Sequence, residues 1–188
     1  MPLRLWALMG ALLLCIGVGA GLALKVGLDE VHLNDAGPRR QLLAEELGPA
    51  TRGWLQVLGC ARHDLEVAVS SDGVVVTGER DPQDRIYFAL SPESDCDDEK
   101  PPQRVTALVE ARDTLAQGLG RLYGQGYRAP STKVILEGVI GFGGGDGRAE
   151  HVARKALGGK VPEGAPLLVK GRRPGSRGAA WATVAVGA

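Results

Sequence analysis

The chain has 188 residues, 22 Lys and Arg balanced by 22 Asp and Glu, with 44% hydrophobic and 23% charged residues, ordinary values for a globular chain. Aromatics make up only 4%, so a core must be built from Val, Leu, Ala and Ile, and 28 Gly with 11 Pro exclude a helical bundle in favour of many turns and short elements. The zero net charge hides an asymmetry: residues 27–100 carry 7 basic against 16 acidic side chains, a balance of −9, and residues 101–188 carry 13 against 6, a balance of +7.

Residues Leu5 to Leu24 form an uninterrupted uncharged run of 20, with Arg4 before it and Lys25 after it. As a helix rising 1.5 Å per residue it would span roughly 30 Å, the thickness of a bilayer's hydrocarbon core. Residues 1–26 therefore read as a transmembrane anchor or signal-anchor. A cleaved signal peptide is the rival, with Val18-Gly19-Ala20 as the peptidase site. Cys15 follows three leucines and lacks the small residue that a lipid-modification site carries. Arg4 and the α-amino group weight the N-terminus toward the cytoplasm, which puts the bulk of the chain outside it, in a periplasmic or extracellular space. Later apolar stretches, "VILEGVIGF" and "AAWATVAVGA", are too short for a second span.

Residues 27–52 read as a linker holding one short amphipathic helix, "PRRQLLAEELG", with Pro38 at its start and Leu42, Leu43 and Leu47 on one side. From Gly53 to the C-terminus the pattern is that of one β-rich domain. "GWLQVLGC", "DLEVAVS", "GVVVTGE", "RIYFALS" and "QRVTALVEA" alternate as strands between Ser-Asp-Gly, Asp-Pro and Pro-Pro turns. "DTLAQGLGRLYG" reads as a helix capped by Asp113, "TKVILEGVI" as a strand, and "GRAEHVARKALGG" as a helix. "APLLVKG" and "AAWATVAVG" complete the strands. The expected fold is α+β: a mostly antiparallel sheet, open or closed into a small barrel, with two or three covering helices.

Three motifs with chemical potential reduce to connectors. "GFGGGDG" lies between strand and helix, where phosphate is cradled, yet it starts no G-x-G-x-x-G and lacks the P-loop Lys; Asp146 suits a helix cap. "ESDCDDE" lacks the glycine and terminal Glu of a calcium loop. "KGRRPGSRG" is a basic turn without the interleaved aromatics that single-stranded nucleic acid would ask for. With Trp181 on the following strand, Arg172, Arg173 and Arg177 form a candidate contact surface for an envelope protein or for anionic lipid headgroups.

His32, His63 and His151 sit in no triad or H-E-x-x-H setting, and no serine lies in a nucleophile elbow. Cys60, His63, Cys96 and His151 could number a zinc site, but the spacing matches no paired-knuckle pattern. His63, between Arg62 and Asp64, looks solvated and incidental. Outside the cytoplasm Cys60 and Cys96 become a default disulfide closing 36 residues, worth on the order of 4 kcal/mol.

The function expected on these grounds is a membrane-anchored extracytoplasmic binding or scaffolding domain, non-enzymatic and without cofactor. Two alternatives stand beside it: a hydrolase or metal-dependent enzyme assembled from Cys60, His63 and Cys96, and a lipid or small-molecule carrier using a barrel interior.

Overall fold

The computed structural model describes residues 2–35, 39–77, 83–96, 104–111, 131–141 and 147–187, with the side chains of the first helix described from Cys15. Their architecture is mixed α+β, with one six-stranded sheet and three α-helices among the described residues. The chain divides into two compact units: residues 38–173 hold the sheet, and residues 1–37 with 174–188 hold a pair of helices.

Everything in the sheet unit is organised around one strand, β2 (Gly53–Val69). The stretches "GWLQVLGC" and "DLEVAVS", expected as two strands, are one strand of 17 residues. One edge of β2 pairs antiparallel with β5 (Ser131–Ile140), from Gly53 opposite Ile140 to Arg62 opposite Ser131. The other edge carries first β1 (Arg40–Leu43), parallel, then β3 (Arg85–Ser91), antiparallel. β3 continues to β4 (Ala107–Ala111), β4 pairs in parallel with β6 (Leu167–Lys170), and β6 returns to β5. The pairing order β2-β3-β4-β6-β5 therefore comes back to β2.

How one strand serves two cores follows from its bulge. Arg62 lies opposite Ala89 and Glu66 opposite Phe88, so His63, Asp64 and Leu65 have no counterpart on β3. An odd insertion into a period of two exchanges the faces. Before it, Leu55, Val57 and Ala61 pack inward with Ile86, Phe88, Leu90, Val109, Leu136, Ile140 and Leu168. After it, Leu65 and Val69 pack on the opposite face with Tyr87, Ala89 and Leu108. That second face is covered by α2 (Gly147–Ala156), through Ala149 and Ala153, and by Leu157 and Val161 just beyond it. Burial of each large aliphatic side chain contributes about 1.5–3 kcal/mol, and aliphatic residues do supply most of both cores.

Close backbone approach explains one glycine. Gly138 faces Val169 where β5 meets β6, and a Cβ there would strike the Val169 carbonyl.

Three sequence expectations are corrected. "PRRQLLAEELG" is not a helix: Arg40–Leu43 is strand β1 and Ala44–Glu46 a single 3-10 turn. Its Leu42, Ala44 and Leu47 reach the inner core by strand and turn geometry, and the Glu46 carboxylate accepts from the Leu43 N–H at 2.6 Å. "AAWATVAVG" is not a strand but helix α3 (Arg177–Gly187). The signal for it is Ser176, whose hydroxyl accepts from the Ala179 N–H at 3.2 Å as an N-cap, ahead of an alanine-rich turn of high helix propensity. Of "GVVVTGE", the described residues 73–77 form only an isolated bridge, Val69 with Val75, after the Ser70–Gly73 turn. The helix expected over residues 113–124 with its Asp113 cap, the Asp146 cap, and Asp97, Asp98 and Glu99 lie outside the described residues.

In the other unit α1 (Pro2–Asp35) packs against α3. Gly27 makes this contact: a Cβ on it would lie 2.7 Å from the Val184 nitrogen and 3.2 Å from the Ala180 carbonyl oxygen. Among the residues whose side chains are described, which in α1 begin at Cys15, no helix is long and apolar enough to cross a membrane.

Candidate functional site

The β2 bulge is also where the polar chemistry collects. Cys60, two residues before it, is bonded to Cys96, with Cα atoms 5.4 Å apart. Arg62 projects from the same face, only 2% exposed. Its Nε and Nη2 donate to the two Asp64 carboxylate oxygens at 2.9 and 3.1 Å, and its Nη1 donates to the Asp95 carbonyl at 3.2 Å. A buried guanidinium is tolerable because the carboxylate meets it with two parallel hydrogen bonds. Disulfide and guanidinium thus hold the same short turn, Glu93–Asp95, onto β2. The turn passes this placement on, since Asp95 Oδ2 accepts from the Arg104 N–H at 3.2 Å.

Arg104 stands at the rim of a cleft of about 660 Å³, within the size range of small-ligand sites. Leu65 of the bulge, Leu47, Val105 and Ala165 give it an apolar floor, and Asp64, Arg104 and Lys160 give it charge. Arg62 neutralises Asp64, whereas Arg104 and Lys160 are exposed cations at its mouth. Its far wall, residues 160–166, is fixed by Arg154 of α2: Nη1 donates to the Pro162 carbonyl, Nη2 to the Ala165 carbonyl, and Nε to Glu150. A cleft with a fixed apolar floor and two cations at its mouth suits an anionic partner that also brings apolar surface.

His63 is not solvated. Its side chain is 5% exposed, with Nδ1 3.5 Å from Glu66 Oε2 and its ring 6.5 Å from that of Phe88. The bulge turns His63 inward while Arg62 and Asp64 satisfy each other; the charged neighbours that suggested exposure are a pair. Its Nε2 has no hydrogen-bond partner among the described residues. Cys60 and Cys96 are joined to each other, so neither sulfur is a free thiolate beside His63, and His151 is exposed on α2. No group of three or more His, Cys, Asp or Glu side chains that could hold a metal occurs among the described residues.

The four residues of the candidate contact surface fall in both units. Arg172 and Arg173 belong to the sheet unit, where Arg173 Nε lies 3.2 Å from Glu137 Oε1. Arg177 and Trp181 belong to the helix pair, and Trp181, on a helix rather than a strand, is 57% exposed.

Sequence reasoning passed over one buried polar cluster. Tyr87 on β3 lies opposite Glu110 on β4 and donates its hydroxyl to Glu110 Oε2 at 3.2 Å, while Arg85 Nη1 is 3.7 Å from Oε1. Glu110 is 1% exposed. Burial, and then the neighbouring Glu110 charge, push the Tyr87 hydroxyl above its ordinary pKa, so it remains a proton donor at every physiological pH. The signal was a lone acid in the otherwise apolar "ALVEA". The cluster lies under α2, among residues of the outer core.

No family model matches the chain, and neither does any curated protein or solved structure.

Proposed function

We propose that the chain is a membrane-anchored binding or scaffolding domain held outside the cytoplasm, non-enzymatic, that engages its partner at the cleft beside the β2 bulge, with Arg104 and Lys160 at its mouth. The observation that carries this reading is the Cys60–Cys96 disulfide. A bond of this kind persists in oxidising, extracytoplasmic compartments, and here it ties down the turn that positions Arg104 at the cleft's rim. The uncharged run Leu5–Leu24, long enough to cross a bilayer as a helix, supplies the anchor.

The returning strand order is read as a small barrel closed on itself, with β1 added along one edge of β2. Its inward side chains fill it, as in other small barrels. A filled interior favours an outer surface as the place of binding, which is why the reading places the partner in the cleft rather than in a carrier's lumen. The joined sulfurs likewise favour a structural role for Cys60 and Cys96 over a thiolate nucleophile or metal ligand.

Topology is the test. Intact cells of the native host are treated with a membrane-impermeant amine reagent, and their membranes are then washed with alkaline carbonate. The reading expects the chain to stay in the membrane pellet and the exposed Lys160 to be labelled without lysis. A chain that the wash releases, or whose Lys160 reacts only after lysis, contradicts it.

A further inference from the structure

Helix α3 is the element whose surface the reading above leaves unexplained. From Gly178 to Gly187 it carries no ionisable side chain, and it presents Trp181 to the outside. Its partner α1 likewise exposes Ile16, Val18, Leu22 and Val26, each more than half accessible. Exposed apolar side chains gathered on neighbouring helices signify a non-aqueous contact.

The direction of α3 identifies that contact. Gly27 lies against the turn Ala180–Val184, and one turn later along α1 the Glu30 carboxylate accepts from the Gly175 N–H at 3.1 Å. Advancing along α1 therefore means retreating along α3, so the helices are antiparallel. Residues after Val184 run back toward Lys25 and the end of the Leu5–Leu24 run. Measured from Ala182, the middle of that turn, five residues at 1.5 Å each take α3 about 7.5 Å past Gly27, level with Leu22. Trp181 falls near the level of Leu28, about one turn on the polar side of Lys25, where aromatic belts sit. Gly27 admits the close backbone approach by which helices associate in lipid. The Thr183 hydroxyl donates to the Ala179 carbonyl at 3.0 Å, which leaves that polar group satisfied within the helix.

We propose that α3 is a second membrane-contacting element: packed against α1 through Gly27, it seats its C-terminal turns in the headgroup and upper acyl region of the leaflet that α1 enters, with Trp181 at the boundary. The occupant of this surface is a phospholipid bilayer. The proposal rests on the membrane anchoring of α1, and the experiment separates the two.

The full chain, unreduced and carrying Cys15→Ser, is reconstituted into phosphatidylcholine–phosphatidylglycerol vesicles with a polarity-sensitive fluorophore on Ala185→Cys, and in a second preparation on Ala182→Cys. Asp72→Cys, on the Ser70–Gly73 turn, serves as the aqueous reference. The α3 probes are expected to emit at shorter wavelength than the reference, to be quenched by spin-labelled acyl chains and to be shielded from iodide. Gly27→Leu, which forces the helix backbones apart, is expected to restore iodide quenching at Ala185→Cys while the chain stays in the carbonate-washed pellet. Iodide quenching of both α3 probes in a chain that resists the wash overturns the proposal and leaves the anchor standing. Release by the wash overturns both.

Discussion

The two units use the same residue types to opposite ends. In the sheet unit most Leu, Val and Ile are interior, with Leu43, Val74, Val75 and Ile135 the large ones exposed among the described residues, and the β2 bulge distributes the buried ones between an inner core and an outer core under α2. In the helix pair many face outward: of the ten large apolar side chains exposed among the described residues, Ile16, Val18, Leu22, Val26, Leu28 and Trp181 belong to it, while Val31 and Leu33 are buried. Exposure of that kind is unfavourable in water, and the membrane contact proposed for α3 would remove the driving force to hide it.

If the contrast holds, substitutions in the sheet unit lower its stability and leave vesicle association unchanged. The largest effect is expected for Gly138→Val. Its side chain collides with the Val169 backbone rather than with a flexible neighbour, and it should cost about 4 kcal/mol by denaturant titration, near the upper end for a single overpacking substitution. Next comes the double substitution Cys60→Ala with Cys96→Ala, which opens a 36-residue closure and should cost about 3 kcal/mol. Because the Glu93–Asp95 turn then keeps only noncovalent ties, among them the Arg62 hydrogen bond and the Lys133–Glu93 ion pair, hydrogen exchange at the Arg104 amide should also accelerate. The smallest concerns alkaline pH. Tyr87 has a folded-state pKa raised above its ordinary value near 10. The stability this supplies is therefore complete below about pH 10 and is lost as pH rises from there toward the folded value. Tyr87→Phe, at a cost of about 1 kcal/mol near neutrality, should flatten the fall in melting temperature between about pH 10 and 12. A mutant that melts as steeply as the wild type would remove Tyr87 from the account.

Much of this was legible in the residues. Period-two alternation marked β2, β3, β5 and β6, the helical pattern after Gly147 marked α2, and the two cysteines outside the Leu5–Leu24 run marked their own bond. The misreadings share a cause, which is that a local pattern was decided by a distant partner. Leu42, Leu43 and Leu47 fit a helical stripe, yet pairing of Arg40–Leu43 with Leu55–Leu58 makes them a strand and a turn. The alternation breaks after Cys60 and so suggested two strands; only the register against Ala89 and Phe88 shows one strand with three surplus residues. The cleft could not be anticipated for the same reason, since its lining comes from four separated segments. Ser176 was a local signal, outweighed by the apolar alternation after it.

The most direct measurement is the redox state of Cys60 and Cys96 in membranes of the native host, by alkylating thiols before and after reduction and reading the mass of the peptides that carry them. Labelling of both only after reduction is the expected result, and it would place the sheet unit in an oxidising space with the turn beneath Arg104 covalently held. Free labelling of both without reduction would contradict the extracytoplasmic account at its base.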